Sequence, residues 1–65
     1  MEKETTDLKI GDIIQSKNYN KSGKIINIYY EGKFLRFVID YDFNTKKENH
    51  CIKTERKQDI VEFQN

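Results

Sequence analysis

The 65-residue chain contains no alanine, no proline and no tryptophan, and its one cysteine is Cys51. A lone thiol cannot form an intramolecular disulfide. With His50 it makes up the whole set of soft ligands, so no structural zinc site, and no metal or cofactor of any kind, is expected. Without alanine, and with many isoleucines, the helix prior falls and the strand prior rises. No apolar run approaches the roughly 20 residues of a membrane span. The opening MEKETTDLK is acidic and lacks the hydrophobic core of a signal peptide. The expectation is a cytoplasmic protein with no membrane partner, a compartment that suits a free thiol.

Catalytic equipment is also missing. His50 and Cys51 are adjacent, so in a strand they point to opposite faces and cannot act as a nucleophile–base pair. Cys51 reads as a small half-buried hydrophobe and His50 as a loop-edge residue. There is no glycine-rich phosphate loop, and no carboxylate has a partner that the sequence identifies. Asp40 and Asp42 share a face, two residues apart, and are expected to pair with lysine or arginine across the sheet rather than to bind a cation. A non-catalytic chain, not an enzyme, is expected.

What is present is charge, isoleucine and aromatic residues. Sixty-five residues make one domain, which buries only about 60% of the surface its unfolded chain exposes, so the core must hold the fold without staples or a partner must help. The net charge of +1 is unevenly spread. Residues 1–12 carry four acids against two lysines, residues 13–57 ten bases against five acids, and residues 58–65 two acids, so a basic body lies between acidic ends. The Lys/Ile/Asn/Tyr bias suits an AT-rich coding genome, such as a low-GC bacterium or its mobile elements.

The densest apolar stretch, Ser22 to Asp42, reads as two long strands joined by a turn at Glu31-Gly32-Lys33, with Gly32 supplying a positive φ. In the later strand, Phe34 to Asp42, the residues Leu35, Phe37, Ile39 and Tyr41 fall on one face and mark the core. In the earlier strand, Lys24 to Tyr30, Ile25 and Ile28 differ in parity, which predicts a bulge near Ile26-Asn27. Tyr29, Tyr30, Phe34 and Val38 are left over on the outside.

Residues 1–7 read as a flexible tail and 8–65 as the domain. Leu8, Ile10, Ile14 and Ser16 share one parity, as in a half-buried strand bent at Gly11, where Asp12 can bond its own neighbouring backbone. Lys17 to Gly23 and Phe43 to Asn49 are polar loops. A fourth strand is expected over His50 to Glu55 with Ile52 as its core residue. A single tight turn follows at Arg56 to Asp59, then a short last strand from Ile60 to Phe63. This is the plan of an all-β, five-stranded SH3-like small barrel with a short 3-10 turn before the last strand, closed so that sheet edges disappear.

Two short patterns carry a resemblance. Ile10-Gly11-Asp12 with Ile14, followed by Gly23-Lys24-Ile25-Ile26-Asn27-Ile28, is similar to the KOW module. The same opening, with Asp40-Tyr41-Asp42 and Asp59-Ile60 followed by Phe63, resembles a Tudor-type barrel. The KOW resemblance implies RNA or protein binding through Lys17, Tyr19, Lys21 and Lys24. The Tudor resemblance implies an aromatic cage to which Tyr19 and Tyr41 would contribute. This chain departs from that pattern at Ile25 and Ile26, where cage aromatics would stand, and at Asp42, where glycine is usual.

Tyr29, Tyr30 and Tyr41, with Phe34 and Phe43, are too many aromatic residues for so small an interior. Some must either pack over the barrel ends or face a partner. The first expectation is a protein-interaction module contacting its partner through Tyr19, Tyr29, Tyr30, Phe34, Arg36 and Phe43. Size and composition suit an inhibitor or adaptor carried by a phage or mobile element and acting on a host protein. The alternative is a KOW-like RNA or DNA binder using Lys17, Tyr19, Lys21, Lys24, Lys46 and Lys47, with tyrosines stacking on bases. Near-neutral net charge, with few arginines among the bases, weighs against that alternative. A small core would also gain from homo-oligomer formation.

Overall fold

The computed structural model describes residues 2–62, and for Glu62 the backbone alone. The chain forms β1 (Ile13–Ser16), β2 (Ser22–Glu31), β3 (Phe34–Asp40), β4 (Ile52–Arg56), a 3-10 turn (Lys57–Asp59) and β5 (Ile60–Glu62). All pairings are antiparallel, in the order β4-β3-β2-β1-β5. The first four strands form a meander, and the 3-10 turn brings β5 back to pair with β1. Among the described residues, no ladder closes the sheet. β4 and β5 are its two edges, so the expected removal of sheet edges is not seen. The expected place of Phe63 lies outside the described residues.

The alternation in β3 sets the packing. Leu35, Phe37 and Ile39 are buried, and Tyr41 continues their row just beyond the strand. Register then determines the partners. Ile39 faces Ile25, Phe37 faces Ile28, and the pairing shifts between Ile25 and Asn27, which is the bulge the isoleucine parity demands. Ile14 and Ile60 complete the core, with Leu8 and Ile28 packed against its margin. Phe37, Ile14, Ile25 and Ile39 are completely buried. A flat single sheet would leave them wet on one side, so the sheet curls around this row, and the 3-10 turn closes against β3.

Gly23 permits the curl. It lies opposite Ile14 in the β1–β2 ladder, and a Cβ there would meet Ile39 Cγ2 at 2.3 Å and Tyr41 Cδ1 at 2.9 Å. Gly32 has the positive φ required by the loop between paired Glu31 and Phe34. That loop is Gly32-Lys33, with Glu31 still in the strand.

Three expectations change. Ile10 does not continue the buried row and is 62% exposed. Gly11 turns the chain at φ 101, and Asp12 closes the turn by accepting the Lys9 N–H at 2.8 Å. Ile52 is not the core residue of β4. It is 48% exposed, while Glu55 is buried, because the register places Glu55 opposite Phe37 and Ile52 opposite Asp40. Cys51, read as half-buried, is exposed.

The segment expected as a tail is tied to the hairpin. The Glu4 N–H donates to the Lys33 carbonyl at 2.8 Å, and Glu4 Oε1 accepts the Leu35 N–H at 2.7 Å. Lys57 reaches the Thr5 carbonyl from the 3-10 turn.

Candidate functional site

The expected site residues separate into three places. Tyr29, Phe34 and Arg36 lie together on the outer face of the sheet. Tyr29 stands opposite Arg36 and Phe34 opposite Glu31, and cross-strand partners share a face. Tyr30 does not join them. It stands opposite buried Leu35, at the rim of the inner face. Its hydroxyl donates to the Glu4 carbonyl at 2.7 Å, and Lys3 Nζ lies 4.9 Å from its ring centre. The bulge causes the separation. It brings Ile28 inward, and Tyr30, two residues on, follows. Tyr19 and Phe43 are in loops at the other end of β3, about 20 Å from Phe34 along the strand.

The outer face has an unusual charge arrangement. The chain's two arginines, Arg36 and Arg56, are directly opposed on β3 and β4. Like charges opposed across a ladder repel. Arg36 is held by Glu31, Nε to Oε1 at 2.7 Å. The Arg56 guanidinium lies 5.5 Å from the Phe34 ring centre, and Lys33 Nζ lies 5.4 Å from the same ring. Phe34 is thus an exposed ring with two cations against it. Val38 is half-buried beside Thr54, and Ile52 continues the surface along β4. The sequence singled out Tyr29, Phe34 and Arg36. It did not show that Arg56 joins them, because the β3–β4 register is set through a long polar loop with no periodicity to read.

The loop end has a different character. Ser16, buried at the end of β1, accepts the N–H groups of Asn18 and Tyr19, both at 3.1 Å, and so shapes the turn that carries Tyr19. Asn20 completes it at φ 51. The Tyr19 ring meets the Tyr41 ring edge-on, 5.5 Å between centres. Tyr41 donates its hydroxyl to Glu55 Oε2 at 2.7 Å, inside the fold. Burial pushes the Tyr41 phenol well above the usual tyrosine range, and the adjacent Glu55 carboxylate adds to the rise. Glu55 was missed in the sequence because nothing in IKTER marks a buried acid.

Asp40 and Asp42 find partners in the loop rather than across the sheet. His50 Nδ1 lies 2.6 Å from Asp40 Oδ2, a bond that raises the His50 pKa. Asp42 Oδ2 accepts the Cys51 N–H at 2.8 Å, and Lys47 Nζ lies 3.4 Å from Oδ1. The Cys51 bond is the main cause of a lowered Asp42 pKa, with Lys47 and Lys21 adding to it. Tyr19, Lys21 and Lys47 therefore gather at one end, while Lys24 lies on the outer face opposite Asp40. Lys17 and Lys46 are exposed in the two loops. The two gathered lysines face a carboxylate rather than open solvent alone. Among the described residues, no His/Cys/Asp/Glu group of three or more is arranged to hold a metal ion, and no helix is long and apolar enough to cross a membrane.

Comparison of the chain with known protein families, with characterised proteins and with solved structures finds no match.

Proposed function

We propose that this chain is a small non-catalytic protein-interaction module, an SH3-like barrel in plan, acting as an inhibitor or adaptor through the outer face of β2, β3 and β4. The four-strand meander, followed by a 3-10 turn and a last strand that returns to β1, supports the barrel plan. The observation that carries the function is the grouping of Tyr29, Phe34, Arg36 and Arg56 on one exposed face. Aromatic residues and arginine are enriched at protein interfaces and lysine is depleted there. Tyrosine and arginine are also frequent among the few residues that dominate binding energy.

The test is partner capture by the wild-type chain beside the double variant Phe34→Ser/Arg56→Ser. The expected result is a stable partner retained by the wild type and lost by the variant. An identical set of captured proteins, or none, contradicts the reading.

Nucleic-acid binding is the second reading, favoured by the gathering of Tyr19, Lys21 and Lys47 at the loop end. It requires affinity for single-stranded RNA or DNA that falls steeply with salt and weakens in Tyr19→Ala/Lys21→Ala. Absence of binding at low salt removes it.

A further inference from the structure

Resting on the protein-interaction reading, we infer that the partner supplies an extended acidic segment that adds as a sixth strand to the free edge of β4. β4 is paired on one side, by β3. Among the described residues, no other segment bonds to the backbone of Ile52–Glu55 on its other side, and the Arg56 carbonyl opens the 3-10 turn. The edge is guarded by charge, with Lys53 and Arg56 exposed and Glu55 turned inward, but not by backbone: it contains no proline and its pairing with β3 has no bulge, so a strand of opposite charge is not barred. Edge strands of this kind accept extended peptides, with main-chain hydrogen bonds giving affinity and alternate side chains giving specificity.

Charge selects the occupant. Lys53 and Arg56 are exposed on β4, Lys57 follows them, and Arg36 stands beside Arg56 on β3. The one acid of the strand, Glu55, is turned inward and committed to Tyr41. The accessible edge is therefore purely basic. An added strand would set one row of side chains beside Ile52, Thr54 and Arg56 and the other beside Lys53, so alternating acidic and apolar residues fit it. A second copy of this chain fits poorly. Antiparallel self-pairing centred on Thr54 sets Lys53 against a Glu55 already bonded to Tyr41, and brings two basic edges together.

The test titrates the ¹⁵N-labelled full chain with a synthetic octapeptide of alternating glutamate and valine, and with the same peptide N-methylated at alternate backbone positions. The unmodified peptide is expected to shift the amides of residues 52–56 and slow their hydrogen exchange. N-methylation should weaken binding at least about tenfold, by removing backbone donors. Arg56→Glu should weaken it by a similar factor, roughly tenfold, by reversing the charge at the edge. If the peptide binds but N-methylation has no effect, and the shifts centre on Tyr29, Phe34 and Arg36, strand addition is overturned while the interaction face stands. No binding up to about 1 mM overturns the inference. The capture experiment above then decides separately whether the interaction reading survives. Concentration-dependent protection of β4 amides without peptide identifies a second copy as the occupant and overturns the acidic-segment inference. An oligothymidylate that shifts the same amides while the peptide does not overturns both.

Discussion

Tyr41 and Phe34 bracket β3, one at each end, and their surroundings could hardly differ more. Tyr41 is 5% exposed, gives its hydroxyl to Glu55 and meets Tyr19 edge-on. Its polar end is used to finish the interior. Phe34 is 39% exposed, has no polar end and lies against two cations. Around Tyr41 each acid has its own partner: Glu55 the phenol, Asp40 His50, and Asp42 the Cys51 amide. On the outer face Glu31 is paired with Arg36, while Arg56 has an aromatic ring rather than an acid beside it. The first region is complete within the chain. The second has positive charge and apolar surface left over, which is what a partner would use.

The largest loss of stability is expected from the core. Phe37→Ala empties a fully buried site and should cost about 3–5 kcal/mol, a third or more of the roughly 3–10 kcal/mol that a domain of this size has at about 0.05–0.15 kcal/mol per residue. Urea unfolding should show the largest fall in midpoint of all these variants. Next comes Gly23→Ala. The added methyl would press on Ile39 Cγ2, an atom too close to its own backbone to move aside, so overpacking should cost about 1–3 kcal/mol. A variant as stable as the wild type would show that the close approach of β2 to the Ile39–Tyr41 row does not matter.

Tyr41→Phe removes one oxygen from the finished interior. It leaves the buried Glu55 carboxylate without its donor and should cost about 1–3 kcal/mol. Tyr41→Phe/Glu55→Gln should recover part of that loss.

The loop end also makes stability depend on pH. The His50 pKa is raised from 6.5, chiefly by its bond to Asp40, so its contribution is full below pH 6.5 and fades as pH rises through the higher folded value. The Asp42 pKa is lowered from 3.8, chiefly by the Cys51 N–H, so its contribution is full above pH 3.8 and fades as pH falls through the lower folded value. Both contributions are present between these limits. Thermal unfolding across pH should show His50→Gln flattening the alkaline side alone, and Asp42→Asn the acid side alone.

The hairpin and its bulge were legible because Leu35, Phe37, Ile39 and Tyr41 form an unbroken apolar row at every second position and the two isoleucine parities of β2 can both point inward only through an extra residue. Ile14 followed from the same rule, whereas the last strand was read from the turn before it, since Ile60 and Phe63 differ in parity. Ile10 and Ile52 were misplaced because parity counting assumes an unbroken strand and a known register. Gly11 breaks the first condition, and the Phe43–Asn49 loop hides the second. The site was legible in part. Tyr29, Phe34 and Arg36 were picked from the sequence, but parity through the bulge removes Tyr30 from their face, and the distance along β3 removes Tyr19 and Phe43. Arg56 could be found only through the β3–β4 pairing. Glu4, which hooks a segment of low hydrophobicity onto the hairpin, leaves no periodic signal.

The most direct test of a complete core beside an unfinished outer face is thermal unfolding of Tyr29→Ser/Phe34→Ser/Arg56→Ser beside wild type. Surface substitutions away from a packed site usually change stability by less than about 0.5 kcal/mol each, so the three together should cost less than about 1.5 kcal/mol and lower the Tm by no more than roughly 6–12 °C while partner capture is lost. A larger fall, or capture that survives the triple substitution, would contradict the claim.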